Sequence, residues 1–168
     1  MFMIIFVRSD DRLIHGQVQT KIVPLNQINR IVCVDDTTAS NPTLKKIFEA
    51  ASPVGTKTTV HTLERAIPLI QKAVDDSKYR ILILARRPST LAKIYKAVPG
   101  MLPRLDIANI PQSKDSANEI MVAKDCYCDQ RQMAAIKEMA ALGVEIYFEL
   151  FPGQSWPTVY WKDIKGKY

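Results

Sequence analysis

Two hydrophobic rhythms alternate along the chain. Short, dense apolar runs occupy residues 1–7 (MFMIIFV), 30–34, 57–61, 80–85, 105–107, 119–123 and 144–150, and their length and β-branched character predict strands. Between most of them lie longer stretches, at 16–23, 42–51, 63–74, 90–98 and 129–142, in which apolar residues recur every three or four positions and predict helices. Strand and helix in regular succession predict an α/β fold, a mostly parallel sheet of about six to seven strands with helices on both faces.

The punctuation agrees with these boundaries. Asn41 before Pro42 has the chemistry of an N-cap followed by a proline in the first turn, where a missing N–H costs nothing. Met133, Ile136 and Ala140 repeat at helical spacing, and Gly143 follows as the permissive residue after a helix end. The Pro- and Gly-containing stretch 99–111 reads as an irregular connection around one short strand, and 151–168 as a short terminal helix or a docked tail.

At 168 residues the chain has the length of one domain, 1–168, with a sizeable core. Its 47% hydrophobic and 24% charged residues are those of an ordinary globular protein. The first apolar run has no basic flank before it, is too short to span a bilayer and leads into charges, so it reads as a buried strand rather than a signal. A cytoplasmic location is the expectation. Cys33, Cys126 and Cys128 are odd in number and lack zinc-knuckle spacing, so no metal is expected. The net charge of +6 favours phosphates or acidic partners, but the basic residues are dispersed, and no nucleic acid is expected.

In open parallel sheets, ligand chemistry collects beyond the carboxyl ends of the strands. RSDDRLIHGQ, residues 8–17, follows the first strand, and Asp35 and Asp36 follow the second, so two polar loops are expected on one edge. A histidine before Gly16, at a helix entrance, would stand among backbone N–H groups and the positive end of the helix dipole. Arg8 and Arg12 can add bidentate contacts to phosphate oxygens, and Asp10 or Asp11 can hold one imidazole nitrogen and so fix the tautomer. An ordinary histidine is largely neutral at pH 7, so such a nucleophile needs no separate base. These are the parts of a phosphorylatable histidine. A salt-bridged surface turn with a capping histidine is the plainer reading of the same residues.

RSDDRLIHGQV, residues 8–18, closely resembles the signature R-(I/V)-D-(D/E)-R-L-I-H-G-Q-V of the IIB components of the mannose/fructose/sorbose family of the bacterial phosphoenolpyruvate-dependent sugar phosphotransferase system. VCVDDTTASNPTLKK at 32–46, AASPVG at 50–55 and TLERA at 62–66 resemble further segments of that family. The resemblance implies a three-layer α/β/α open sheet. It also implies that His15 accepts a phosphoryl group, through Nδ1, from the phosphohistidine of a IIA component and passes it to a sugar brought in by membrane IIC and IID components. Arg12 would then stabilise the phosphoryl group and Asp10 position the loop or the imidazole, with Arg8, Asp11, Gly16, Gln17, Asp35 and Asp36 around the phosphate or partner site. No cofactor is implied beyond the transient phosphohistidine, and location would be cytoplasmic, peripheral to the membrane permease.

The chain departs from the family in three places. QTKIVP, with Lys21, stands where members commonly have tryptophan. IANIPQS at 107–113 replaces an Asn-Val-Gly-Gly-Met loop and keeps Asn109, and the tail with Trp156 and Trp161 is unlike the usual ending. These departures motivate an alternative, a IIB-like regulatory or binding module that keeps the fold without delivering phosphate to sugar. Arg86 and Arg87 read as a solvated pair at a strand end that is within reach of the site, and His61 as structural.

Overall fold

A computed structural model describes residues 4–74, 78–114 and 118–168; Met1 to Met3, the start of the first predicted strand, lie outside the described residues. Its centre is a seven-stranded sheet in the order β3-β2-β4-β1-β5-β8-β9. These strands are β1 (Ile4–Asp10), β2 (Arg30–Val34), β3 (Lys57–His61), β4 (Ile81–Ala85), β5 (Arg104–Asn109), β8 (Glu145–Phe148) and β9 (Val159–Tyr160). All pairs are parallel except β8 with β9. β4, ILILA, is buried at every position, as a strand covered on both faces must be.

One face of the sheet carries α4 (Leu63–Val74), α5 (Pro88–Ala97), α6 (Gln130–Ala141) and α7 (Trp161–Ile164), whose Ile70, Leu91, Ile94, Ile136, Met139 and Trp161 share a core with Val7, Ile83 and Ile107. The other face carries a π-helical turn (Val18–Ile22) running into α1 (Val23–Leu25), then α2 (Asp36–Ser40) and α3 (Pro42–Ala50). Here Leu13, Ile14, Val18 and Ile22 pack on Ile31, Leu82 and Leu84. The three-layer α/β/α arrangement expected from the sequence is thus present. Asn41 caps α3 by accepting from the N–H groups of Thr43 and Leu44, and Gly143 takes φ +84° after α6.

The exposed edge of β3 is covered by side chains: the Thr58 N–H donates to Ser52 Oγ at 3.0 Å and the Val60 N–H to Glu49 Oε1 at 3.1 Å. Three sequence expectations change. The predicted strand at 119–123 does not join the parallel sheet; β6 (Ile120–Ala123) pairs antiparallel with β7 (Cys126–Cys128) in a separate hairpin, because Lys124 and a left-handed Asp125 (φ +60°) turn the chain straight back. The tail contributes the edge strand β9 as well as α7. The first strand continues past Val7 through three polar residues to Asp10, because Arg8, Ser9 and Asp10 all have cross-strand partners on β5.

β1 and β2 lead into elements on one face, whereas β4 leads into α5 on the other. The chain therefore leaves the carboxyl ends of the neighbouring strands β1 and β4 in opposite directions. This is the topological switch point, where an open α/β sheet forms its ligand crevice.

Candidate active site

Strand alternation places Arg8 and Asp10 on one face of β1, and Arg8 lies directly opposite Asp106 of β5. All three side chains are fully buried. The Arg8 guanidinium contacts the Asp106 carboxylate through Nη1 and donates from Nη2 to Asp10 Oδ2 at 3.0 Å. It also donates to the carbonyls of Glu149 at 3.3 Å and Leu150 at 2.7 Å, which fastens the chain leaving β8 over the strand ends. Arg8 thus lies beneath the loop. The expectation that it meets phosphate directly is corrected: both its terminal nitrogens are committed to buried carboxylates and backbone.

Asp10 is the hub. Its Oδ1 accepts from the Arg12 N–H at 3.1 Å and Arg12 Nε at 2.9 Å, and its Oδ2 accepts from Arg12 Nη2 at 3.0 Å as well as from Arg8. His15 Nε2 lies 3.6 Å from the same Oδ2. Burial alone would raise the Asp10 pKa, but the hydrogen bonds from Arg12 and the charge of Arg8 hold it below the usual carboxylate value. At Asp106 the balance is reversed, and burial pushes the carboxyl up to about 7 against the pull of Arg8.

After Asp10 the chain turns sharply. The Leu13 N–H donates to the Asp10 carbonyl at 3.0 Å, and Leu13 takes φ +54° with its side chain wholly buried. That left-handed residue is costly for leucine, and its packing in the core under the loop holds it there. The turn sets His15 above the strand end, 17% exposed, immediately before helical residues 16–25. His15 Nδ1 is 2.8 Å from the Leu13 carbonyl and Nε2 is 3.4 Å from Gln17 Oε1. In this arrangement Nδ1 carries the ring hydrogen. Gly16 is exposed at the helix entrance, and no side chain caps Gln17, so the first-turn N–H groups are available to an anion.

A second set of ion pairs pins the loop from β4. Arg87 Nη2 meets the Asp11 carboxylate at 3.0 Å, and Arg86 Nη1 donates to the Asp11 carbonyl. The same Arg86 guanidinium reaches Asp35 Oδ2 at 3.2 Å and Thr38 Oγ1 at 3.3 Å. Asp35 in turn caps α2 through the Thr38 N–H at 2.9 Å. Asp36 accepts from the Leu63 N–H at the start of α4 at 2.7 Å, so of its expected places, the phosphate or the partner site, the first is corrected.

The structure therefore gathers Arg8, Asp10, Arg12, His15, Gly16 and Gln17, ties in Asp11 and Asp35, and keeps Asp36 off the phosphate site. Sequence reasoning missed Asp106, whose signal was an isolated acid inside an apolar strand, and read Arg86 and Arg87 as solvated when they cross-link three loops. Among the described residues no group of three or more His, Cys, Asp or Glu side chains could hold a metal ion, and no helix is long and apolar enough to cross a membrane. The three cysteines are buried free thiols, and burial pushes Cys33 up to about 12.

Residues 4–163 match the family model of the phosphotransferase-system sorbose subfamily IIB component. The chain belongs to that IIB family. It is 28% identical over 158 residues to a "Probable phosphotransferase enzyme IIB component" of Streptococcus pyogenes, covering 91% of this chain and 94% of the relative. It is 27% identical over 151 residues to the N-acetylgalactosamine-specific phosphotransferase enzyme IIB component 2 of Escherichia coli, covering 89% and 91%. The crystal structure of the IIBSor domain of the sorbose permease from Klebsiella pneumoniae superposes with a TM-score of 0.83 at 23% identity, covering 98% of this chain and 96% of that one, a likeness of fold. The loop that carries His15 in this IIB chain lies wholly within the matched region.

Proposed function

We propose that this IIB chain is a phosphoryl carrier in which His15 accepts a phosphoryl group from the phosphohistidine of a IIA component and delivers it to a sugar entering through membrane IIC and IID components. The observation that carries this reading is the Asp10 carboxylate, held on both oxygens by Arg8 and Arg12 and facing the imidazole of His15 at a helix entrance. In the accepting step a ring nitrogen of His15 attacks phosphorus with its lone pair. The P–N bond to the donor imidazole breaks, and its electron pair returns to the donor nitrogen. Attack through Nδ1 requires the ring to turn off the Leu13 carbonyl and its hydrogen to pass from Nδ1 to Nε2, the nitrogen facing Asp10 Oδ2, which frees the Nδ1 lone pair; 17% exposure permits the turn. Arg12, 36% exposed, and the first-turn N–H groups of residues 16–18 offset the charge spreading over the phosphoryl oxygens. In the delivering step a sugar hydroxyl oxygen attacks phosphorus, the P–N bond to His15 breaks, and the hydroxyl proton passes to the freed imidazole.

The test is intact mass after incubation with phosphoenolpyruvate, enzyme I, HPr and a IIA component of the same subfamily. One phosphoryl mass on the wild type, lost in acid and absent from His15→Ala, is the expected result. No gain with active IIA components refutes the carrier reading. Sugar phosphate formed in vesicles bearing IIC and IID then separates a carrier from a module that is phosphorylated but only signals.

A further inference from the structure

The carboxylate of Asp106 joins the buried cluster from outside the loop. It lies on β5 rather than β1, is fully buried, and accepts from the Glu149 N–H at Oδ1 (3.2 Å) while its Oδ2 meets Arg8 Nη1. Arg8 hands the connection on to Asp10 Oδ2, the oxygen that faces His15. Asp106, Arg8, Asp10 and Arg12 form a row of alternating charge that sums to zero when all are ionised. Without Asp106 the same row carries one positive charge, directly beneath the histidine. In a buried site such a charge is poorly screened, so the anion bound above feels it.

We propose that Asp106 is a positioning and charge-setting residue: through Arg8 it fixes the orientation of Asp10 and keeps the cluster neutral, and so limits how tightly His15 holds a phosphoryl group. The proposal rests on the carrier reading. A carrier must release its group as readily as it takes it, and an extra buried cation would favour retention. Asp106 faces Arg8 on β1, Cys126 on β7, and Tyr147 and Glu149 on β8 and its exit, and reaches Asp10 through Arg8. Among these Arg8 is the cation in contact with it, so its effect on His15 runs through Arg8.

Asp106→Asn tests this, because an amide keeps the shape and one oxygen acceptor, enough for Arg8, while removing the charge; the acceptor lost is the one that faces the Glu149 N–H. The chain is equilibrated with enzyme I, HPr and a IIA component at set ratios of phosphoenolpyruvate to pyruvate, and the phosphorylated fraction is read by intact mass. The variant is expected to reach half occupancy at a ratio about threefold lower than wild type at pH 8, the order expected for one unit charge two side chains away. The gap closes below pH 7, where Asp106 itself takes up a proton. Glu138→Gln, at an exposed ion pair on the far face, is expected to leave the ratio unchanged. Linkage adds a measurement on wild type alone: phosphorylation of His15 must move the titration of the Asp106 carboxyl carbon resonance upward by about 0.5 pH units, the same factor. Equal ratios for wild type and Asp106→Asn, with an unmoved resonance, overturn the proposal. A higher ratio in the variant assigns Asp106 a merely structural hold and also overturns it. Failure of wild type to gain any phosphoryl mass is distinguishable from both, and removes the carrier reading together with this one.

Discussion

Replacing Arg8 by methionine removes, among the described residues of the IIB chain, the one cation buried in full beneath the loop, and the outcome follows from its contacts. The guanidinium meets two buried carboxylates and two backbone carbonyls, and Asp10 keeps Arg12 when Arg8 is gone, but Asp106 keeps no cation. Removing one partner of a buried pair typically costs about 3–5 kcal/mol, a large part of the roughly 5–15 kcal/mol that holds a domain together. With a urea slope of about 2–3 kcal/mol/M, the unfolding midpoint at pH 8 should fall by roughly 1–2 M. Adding Asp106→Asn to Arg8→Met removes the stranded charge and should restore about half of that loss. At pH 5 the single variant should lose less, because the Asp106 carboxyl, pushed up to about 7, is protonated there already. The assay is urea unfolding followed by tryptophan fluorescence and circular dichroism at both pH values. A midpoint shift below about 0.5 M at pH 8 for Arg8→Met, or fully additive losses in the double variant, would refute a coupled buried pair.

Four further outcomes are expected. Between pH 4 and 7 folded Asp106 holds a proton that the unfolded chain releases, so its contribution to stability falls as pH rises through that window; thermal unfolding should therefore show Asp106→Asn gaining on wild type as pH rises from 4 to 8, and an unchanged difference would refute the raised value. Asp10 has the opposite sign: its lowered value stabilises the fold above the ordinary carboxylate range and that stability is lost as pH falls through the lowered value, so Asp10→Asn should flatten the acid limb of the same curve. Leu13→Ala should cost about 2–5 kcal/mol for its emptied core site, and Leu13→Gly no more than that, because glycine relieves φ +54°; a glycine variant about 1 kcal/mol worse than alanine in urea melts would place no strain at this residue. Arg86→Leu should cost about 1 kcal/mol in the same melts, since the group is partly exposed, yet slow phosphoryl uptake by His15 severalfold in a rapid-quench assay; uptake at the wild-type rate would show that the loop does not need this tie.

The parts of this molecule governed by local rules were legible in the sequence. β2 and β3 occupy the predicted residues because each is a short apolar or β-branched run closed by polar residues, and Asn41 and Gly143 mark helix ends by their own backbone chemistry. The end of β1 was not legible, because a run of Arg, Ser and Asp has no strand character until Arg8 finds Asp106 across the sheet. The same holds for β6 and β7: an apolar run at 120–123 is equally suited to a parallel sheet or a hairpin, and the choice rests on the turn at Asp125. At the site, the signature residues from Asp10 to Gln17 are contiguous and could be grouped by eye. Asp106, Arg86 and Arg87 lie far along the chain, Arg86 being 75 positions from Asp11, and only the strand order brings them to the loop.

That strand order also explains why the loop is held by charges rather than by apolar packing alone. At the switch point the β1 and β4 exits diverge to opposite faces, so neither of the helical segments they lead into covers the gap between them. A loop left there with only water around it would sample many orientations, and an imidazole on it would seldom face a donor in line. Arg8 holds Asp10 from below, Arg12 engages both of its oxygens from above, and Arg86 and Arg87 fix Asp11 from the side. Each tie is an ion pair or a charge-assisted hydrogen bond, which fixes direction as well as distance. A hydrophobic contact could seal the crevice but not aim a carboxylate. Leu13 supplies the apolar anchor beneath the turn, and the ion pairs set the orientation of what stands on it, so that His15 is exposed on one side and constrained on the other, as the proposed attack on phosphorus would require.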